Sequence, residues 1–250
     1  MTPLLAIVRV TMRQLTGRAR LIGFSLLNLM PAPLLAAVSR SANPTALDLE
    51  LGVLLVLPYF ALVIPITTLI LASSALGEER RDKTLSFLVL RPISRFEIAL
   101  AKGMAAAIVS IGFAALGALA MSLTWLAVGG SFDVFPSIML GATLACVMYS
   151  TVFVLLGNVV VRATLVGLIY ILFFEIIIVE NLPRLAPASL WRISLGATLD
   201  TMPTHFPARA LLAALGDWVP SLGSALIVTS AVAFVTIGLS TLLLHRTDAV

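Results

Sequence analysis

The sequence predicts an all-α membrane protein. It reads as six transmembrane helices, an N-terminal amphipathic helix at the membrane surface, a charged segment between spans two and three, and short re-entrant or amphipathic helices before span six. Three observations predict this. The chain is 60% hydrophobic and 11% charged, whereas a soluble domain of its size is about a quarter charged. Several apolar runs are long enough to cross a hydrocarbon core of roughly 30 Å. Residues 78–102 carry Glu78, Glu79, Arg80, Arg81, Asp82, Lys83, Arg91, Arg95, Glu97 and Lys102, more than a third of all the charge, bunched between two apolar runs. A charged residue at a bilayer centre costs roughly 2.5–3.5 kcal/mol on insertion scales, so this block is expected in water.

Residues 3–20 precede the first span. Arg9, Arg13, Thr16 and Arg20 recur at helical spacing on one face, and Leu4, Leu5, Val8, Met12 and Leu15 line another. That pattern describes a helix lying in the membrane surface with its basic face toward lipid headgroups. An ordinary basic flank that sets topology fits it as well. Span one runs from about Leu21 to Val38, interrupted by Pro31 and Pro33. Span two runs from about Leu51 to Gly77, longer than the bilayer, and Pro58 and Pro65 are expected to bend it.

The charged segment has its own grammar. Ser94 and Glu97 form a capping box, with Ile93 and Ile98 placed as its hydrophobic staple. Pro92 cannot continue an incoming helix. One helix therefore ends, a short apolar piece from Leu85 to Leu90 follows, and a new helix starts sharply at Ser94. A merely solvated loop needs neither the cap nor the interleaved Leu85, Phe87, Leu88 and Leu90, so the segment reads as a shaped contact surface.

Span three runs from about Gly103 to Val128, with Trp125 near its outer end. Gly112, Ala115, Gly117 and Ala118 are expected to serve close helix packing. Span four covers about Ser137 to Leu156, and a tight turn containing Asn158 and Arg162 leads to span five, about Leu165 to Leu182. Residues 183–220 hold five prolines and no full-length span. Two amphipathic pieces, near Leu190–Leu199 and Ala208–Leu215, are expected on or dipping into the outer face. Span six is about Ser221 to Leu244. The whole of residues 1–250 reads as a single transmembrane domain.

With the N-terminus inside, twelve Lys and Arg fall on inner segments and four, Arg40, Arg184, Arg192 and Arg209, on outer ones. Short loops with that bias face the cytoplasm, so both termini and the charged segment are expected there, in a cell (inner or plasma) membrane. Topology also accounts for the isoelectric point of about 9.8 without nucleic acid. The single cysteine, Cys146, and the two isolated histidines, His205 and His245, make no metal-ligand or triad spacing. ATP hydrolysis by this chain is excluded by pattern: a P-loop needs G-x-x-x-x-G-K-[S/T], and neither Lys83 nor Lys102 stands in it.

Glu175, in LIYILFFEIIIVEN, is an acid inside span five. An ionisable residue there is a functional candidate by default. It lines a polar path or holds a structural hydrogen bond within the bundle.

The run EERRDKTLSFLVLRPISRFEIALAK resembles the signature of ABC-2 type transporter permeases. Glu78, Glu79, Thr84, Leu85, Pro92, Ile93, Ser94, Arg95 and Lys102 match it, and Lys83 stands where a glycine is common. The resemblance implies a homodimer or related heterodimer of six-span permeases with two ABC-type ATP-binding subunits docked below, ATP and magnesium being held by those partners and no cofactor by this chain. Residues 78–102 would then be the coupling helix, with Glu78, Glu79, Arg80, Arg81, Thr84, Leu85, Arg91, Pro92, Ser94, Arg95 and Glu97 as ATPase-coupling residues. Asn158 and Arg162 would make a smaller second contact. Spans two and five would line the translocation path, with Glu175 and Tyr170 on it. The implied function is export driven by the partner's ATP hydrolysis; the alternative within the family is mechanical work on an extracytoplasmic partner protein gripped by residues 183–220. A channel or proton-coupled carrier using Glu175 would leave the charged segment unexplained.

Overall fold

A computed structural model describes residues 3–41, 56–81, 94–204, 206 and 218–247. All regular structure among them is helical. Among the described residues, five helical stretches are long and apolar enough to cross a membrane: Arg18–Ala37, Tyr59–Gly77, Arg95–Ala127, Phe132–Val159 and Leu222–Leu244. Where the sequence predicts span five, the apolar helix is the shorter Ala163–Ile178.

Helix α1, Pro3–Leu15, starts on a proline, whose missing amide costs nothing in a first turn. Gly17 takes an extended conformation (φ −59°, ψ 147°) and separates it from α2, Arg18–Leu29. The next helix, α3, begins on Pro31 and runs to Ser41, so the break expected at the prolines falls at Met30. In span two the chain forms a π-helical turn, Tyr59–Val63, between Pro58 and Pro65 before α4, Ile64–Arg81. Pro65 has no N–H for the regular ladder, and the Ile64 amide reaches back to the Tyr59 carbonyl, one residue further than in an α-helix.

The expected start at Ser94 is borne out. Its hydroxyl accepts from the Glu97 amide at 3.2 Å, and a Glu97 carboxylate oxygen accepts from the Ser94 amide at 3.1 Å. Such caps are each worth about 1 kcal/mol. From this box α5 runs unbroken, Arg95–Ala127, for 33 residues, about 50 Å at roughly 1.5 Å per residue. Gly129 (φ 101°) makes the turn into a short 3₁₀ piece, Phe132–Val134, and α6, Phe135–Val159. Helix α6 is the central post, packed against spans two, three and six. Span five comprises α7, Ala163–Ile169, a π-helix, Tyr170–Ile178, and α8, Val179–Asn181. After a 3₁₀ turn, Pro183–Ala188, come α9, Leu190–Asp200, and α10, Leu222–Thr247. An Asp200 carboxylate oxygen accepts from the Leu222 amide at 2.8 Å and fastens the start of span six.

Three expectations change or narrow. Of the two forms expected for residues 190–199, lying on the surface or re-entrant, helix α9 does not take the surface one: every residue from Leu190 to Leu199 is buried. Its polar groups permit this because Ser194 and Thr198 donate to the carbonyls one turn back, at 3.1 and 3.0 Å, and the Arg192 guanidinium lies 5.1 Å from the Trp191 ring centre. Trp191 and Arg192 are thereby 5% and 8% exposed. Lys102, counted with the solvated charge, is buried on α5. Gly112 faces open space rather than a neighbour. Gly117 does serve close packing: a Cβ there would stand 2.4 Å from the Tyr59 hydroxyl and 2.7 Å from the Asn28 carbonyl oxygen. The second expected piece, Ala208–Leu215, lies outside the described residues.

Candidate functional site: a buried carboxylate at the head of an inner helix

Glu175 lies mid-way along the π-helical stretch of span five and is 1% exposed. A carboxylate taken out of water needs donors to replace its hydration, and four converge on it. Tyr149 of α6 and Tyr170 of span five donate their phenolic O–H to Oε1 at 3.0 and 2.9 Å. The Leu190 amide donates to the same oxygen at 3.1 Å. Ser189 donates its hydroxyl to Oε2 at 2.6 Å. The indole N–H of Trp191 reaches the Glu175 backbone carbonyl at 3.1 Å.

Each donor has a local reason to be where it is. Tyr149 and Phe153 are four residues apart on α6 and stack at 5.5 Å. Phe153 meets Tyr170 edge-on at 6.4 Å, and Tyr170 stacks on Phe174 at 5.4 Å. This aromatic ladder holds both phenols over one carboxylate oxygen. Ser189 is the N-cap of α9, and the same hydroxyl accepts from the Arg192 amide at 3.5 Å. Glu175 and Ser189 therefore cap α9 together. A negative group is favoured at this end, where the helix dipole is positive and the amides are unpaired. Gly141 of α6 lets α9 come in: a Cβ there would stand 1.7 Å from Thr198 Oγ1 and 2.7 Å from the Ser194 carbonyl oxygen.

At the other end of the bundle, spans two and four cross backbone to backbone. A Cβ on Gly157 would stand 2.6 Å from the Ser73 carbonyl oxygen, and one on Gly77 would be 3.8 Å from the Gly157 oxygen. The Ser73 and Thr164 hydroxyls are 3.0 Å apart, adding span five to the join. Glu78, Glu79, Arg80 and Arg81 form the last turn of α4, directly after this crossing. Ser94, Arg95 and Glu97 open α5. Thr84, Leu85, Arg91 and Pro92, with the apolar piece between them and the staple residue Ile93, lie outside the described residues. Asn158 is buried and donates to the Ser240 carbonyl of span six at 3.3 Å, while Arg162 is exposed on the turn.

The sequence points to Glu175 and Tyr170, and the fold brings them into contact. It gives no hint of Tyr149, which reaches the acid from 26 positions away. Ser189 carries a weak signal, an N-cap residue type just before an apolar run. A family model described as ABC-2 family transporter protein matches residues 18–179. No curated protein matches the chain. The matched stretch takes in Glu175 and the crossing at Gly157 and ends before Ser189 and α9.

Proposed function

The chain belongs to the ABC-2 family of transporter proteins, and from that premise we propose that it is the permease of an ATP-driven exporter, moved by ATPase subunits that dock on the charged segment between spans two and three. It is a non-catalytic, multi-pass membrane subunit, and its family implies an ATP-binding partner. In this reading two copies pair, as a homodimer or with a related chain. Residues 163–181, roughly 28 Å long at about 1.5 Å per residue, make the sixth crossing, and both termini lie with the basic excess on the cytoplasmic side.

The observation that carries the reading is the join at the foot of the bundle. The helix that enters the charged segment and the turn that bears Arg162 both leave from one close crossing, Ser73 and Gly77 on Gly157. A push on either would be felt by spans two, four and five together, which suits a rigid transmission element. Glu78, Glu79, Arg80, Arg81, Thr84, Leu85, Arg91, Pro92, Ser94, Arg95 and Glu97 form the coupling surface. Arg162 makes the second contact, and Asn158 supports it from inside through Ser240. Span five presents Leu165, Ile169, Leu172 and Phe173 outward, 39–57% exposed; this face lines the path between copies. Glu175 and Tyr170 stand behind it and hold its π-helical turns in place.

The test is co-purification with an ABC-type ATP-binding subunit, followed by reconstitution. Replacing Glu79, Arg91 and Arg95 together is expected to loosen the complex and abolish stimulated ATPase activity. An unaltered complex with full activity would remove the coupling assignment. Accumulation of cargo in inside-out vesicles on adding ATP would support export, and efflux from them would reverse the direction.

A further inference from the structure

The N-terminal helix bears a shallow, open patch that the transport reading leaves unused. Leu5, Val8, Arg9, Met12, Arg13 and Thr16 line it. By sequence these residues divide into an apolar face and a basic face. Folded, they are one stripe at spacings of three and four along α1, the spacing at which helix side chains adjoin. Val8 fixes its inner edge, buried with Ala101 and Ala105 near the start of α5. Leu5 is 52% exposed, and Arg9 and Arg13 are exposed one turn apart. Bare hydrocarbon and two guanidinium groups therefore share one open face of the helix.

Its surroundings narrow the occupant. No acidic residue precedes Asp48 in the sequence. The first candidate span begins at Arg18, just beyond the patch, which puts the patch at the water end of that span, level with lipid headgroups. We propose that it seats one anionic phospholipid, its phosphate between Arg9 and Arg13 and the head of an acyl chain along Leu5 and Met12. A guanidinium pair matches phosphate oxygens with forked hydrogen bonds. An acidic peptide would answer the arginines and leave Leu5 and Met12 in water; a zwitterionic lipid would cover the leucine and leave the charge unbalanced. Because α1 packs on the foot of α5, a lipid held here bears on the helix that leaves the charged segment.

The purified full chain in detergent, titrated with phosphatidylglycerol or phosphatidylcholine and read by native mass spectrometry, tests this. The first phosphatidylglycerol is expected to bind at least about tenfold more tightly than phosphatidylcholine, and R9Q/R13Q to lose about thirtyfold of that affinity, the effect of two basic contacts at an anionic surface. L5S is expected to weaken the same step severalfold with an unchanged melting temperature. Should R9Q/R13Q give no folded protein, R13Q alone is expected to lose about fivefold. Equal affinity for the two lipids overturns the proposal, as does wild-type binding by the arginine variants. Loss in the arginine variants with L5S unchanged also overturns it, because diffuse surface charge then accounts for the binding. Displacement of the lipid by an acidic peptide at lower concentration would assign the patch to a protein segment instead.

Discussion

The Ser189 hydroxyl donates to Glu175 Oε2 at 2.6 Å, across 14 positions of chain. That one bond ties the middle of span five to the first turn of a helix buried on all sides. With the Leu190 amide on Oε1, it makes the acid a cap for α9 rather than a free charge in the bundle.

Replacing the acid should therefore release the helix before it unfolds the bundle. E175A leaves two phenols, a hydroxyl and an amide without their acceptor, each costing roughly 1–3 kcal/mol if it stays buried and unpaired. Hydrogen exchange over residues 190–200 is expected to rise by an order of magnitude or more, while residues 135–159 keep most of their protection. Equal loss in both stretches, or none in α9, would refute the capping role.

The two phenols share one oxygen, so their contributions should not add. Y149F and Y170F are each expected to lower stability by about 0.5–1.5 kcal/mol. In the double variant the loss should differ from the sum by at least about 0.5 kcal/mol, read from unfolding in denaturant. Simple additivity would mean that the ladder through Phe153, not the carboxylate, sets the positions of the rings.

Two glycine-to-alanine changes should go opposite ways. Gly157 has the Ser73 carbonyl oxygen 2.6 Å from its would-be Cβ, so G157A must push spans two and four apart, at roughly 1–3 kcal/mol. G112A meets nothing within 4 Å and gains up to about 1 kcal/mol of helix propensity. Melting temperatures of the two purified variants check the sign. If the crossing transmits force, G157A should also uncouple ATPase stimulation from cargo movement, and G112A should not.

The cap on α5 is testable by itself. S94A removes the acceptor for the Glu97 amide, and about 1 kcal/mol with it. S94D should restore most of the loss. Exchange at the amides of residues 95–98 reports the change directly, with the rest of α5 as the internal control.

The helical class, the candidate spans and the Ser94–Glu97 cap were open to sequence reasoning because each rests on residues close together in the chain. Apolar runs state their own length, and a capping box is complete within four residues. Span five was harder to read, since its π-helical turns depend on what Glu175 must reach. Gly112 and Gly117 show the limit plainly. Both are small residues on one helix, yet only Gly117 has Tyr59 and Asn28 against it.

Local order alone thus specified a helical membrane bundle and a sharply capped helix start at Ser94. Which polar groups were buried, and against what, came from packing. Leu190–Asp200 has the composition of a surface helix, and it goes inside because Gly141 leaves room and Glu175 answers its open amides. Those partners come from helices distant along the chain, and no window of neighbouring residues contains them.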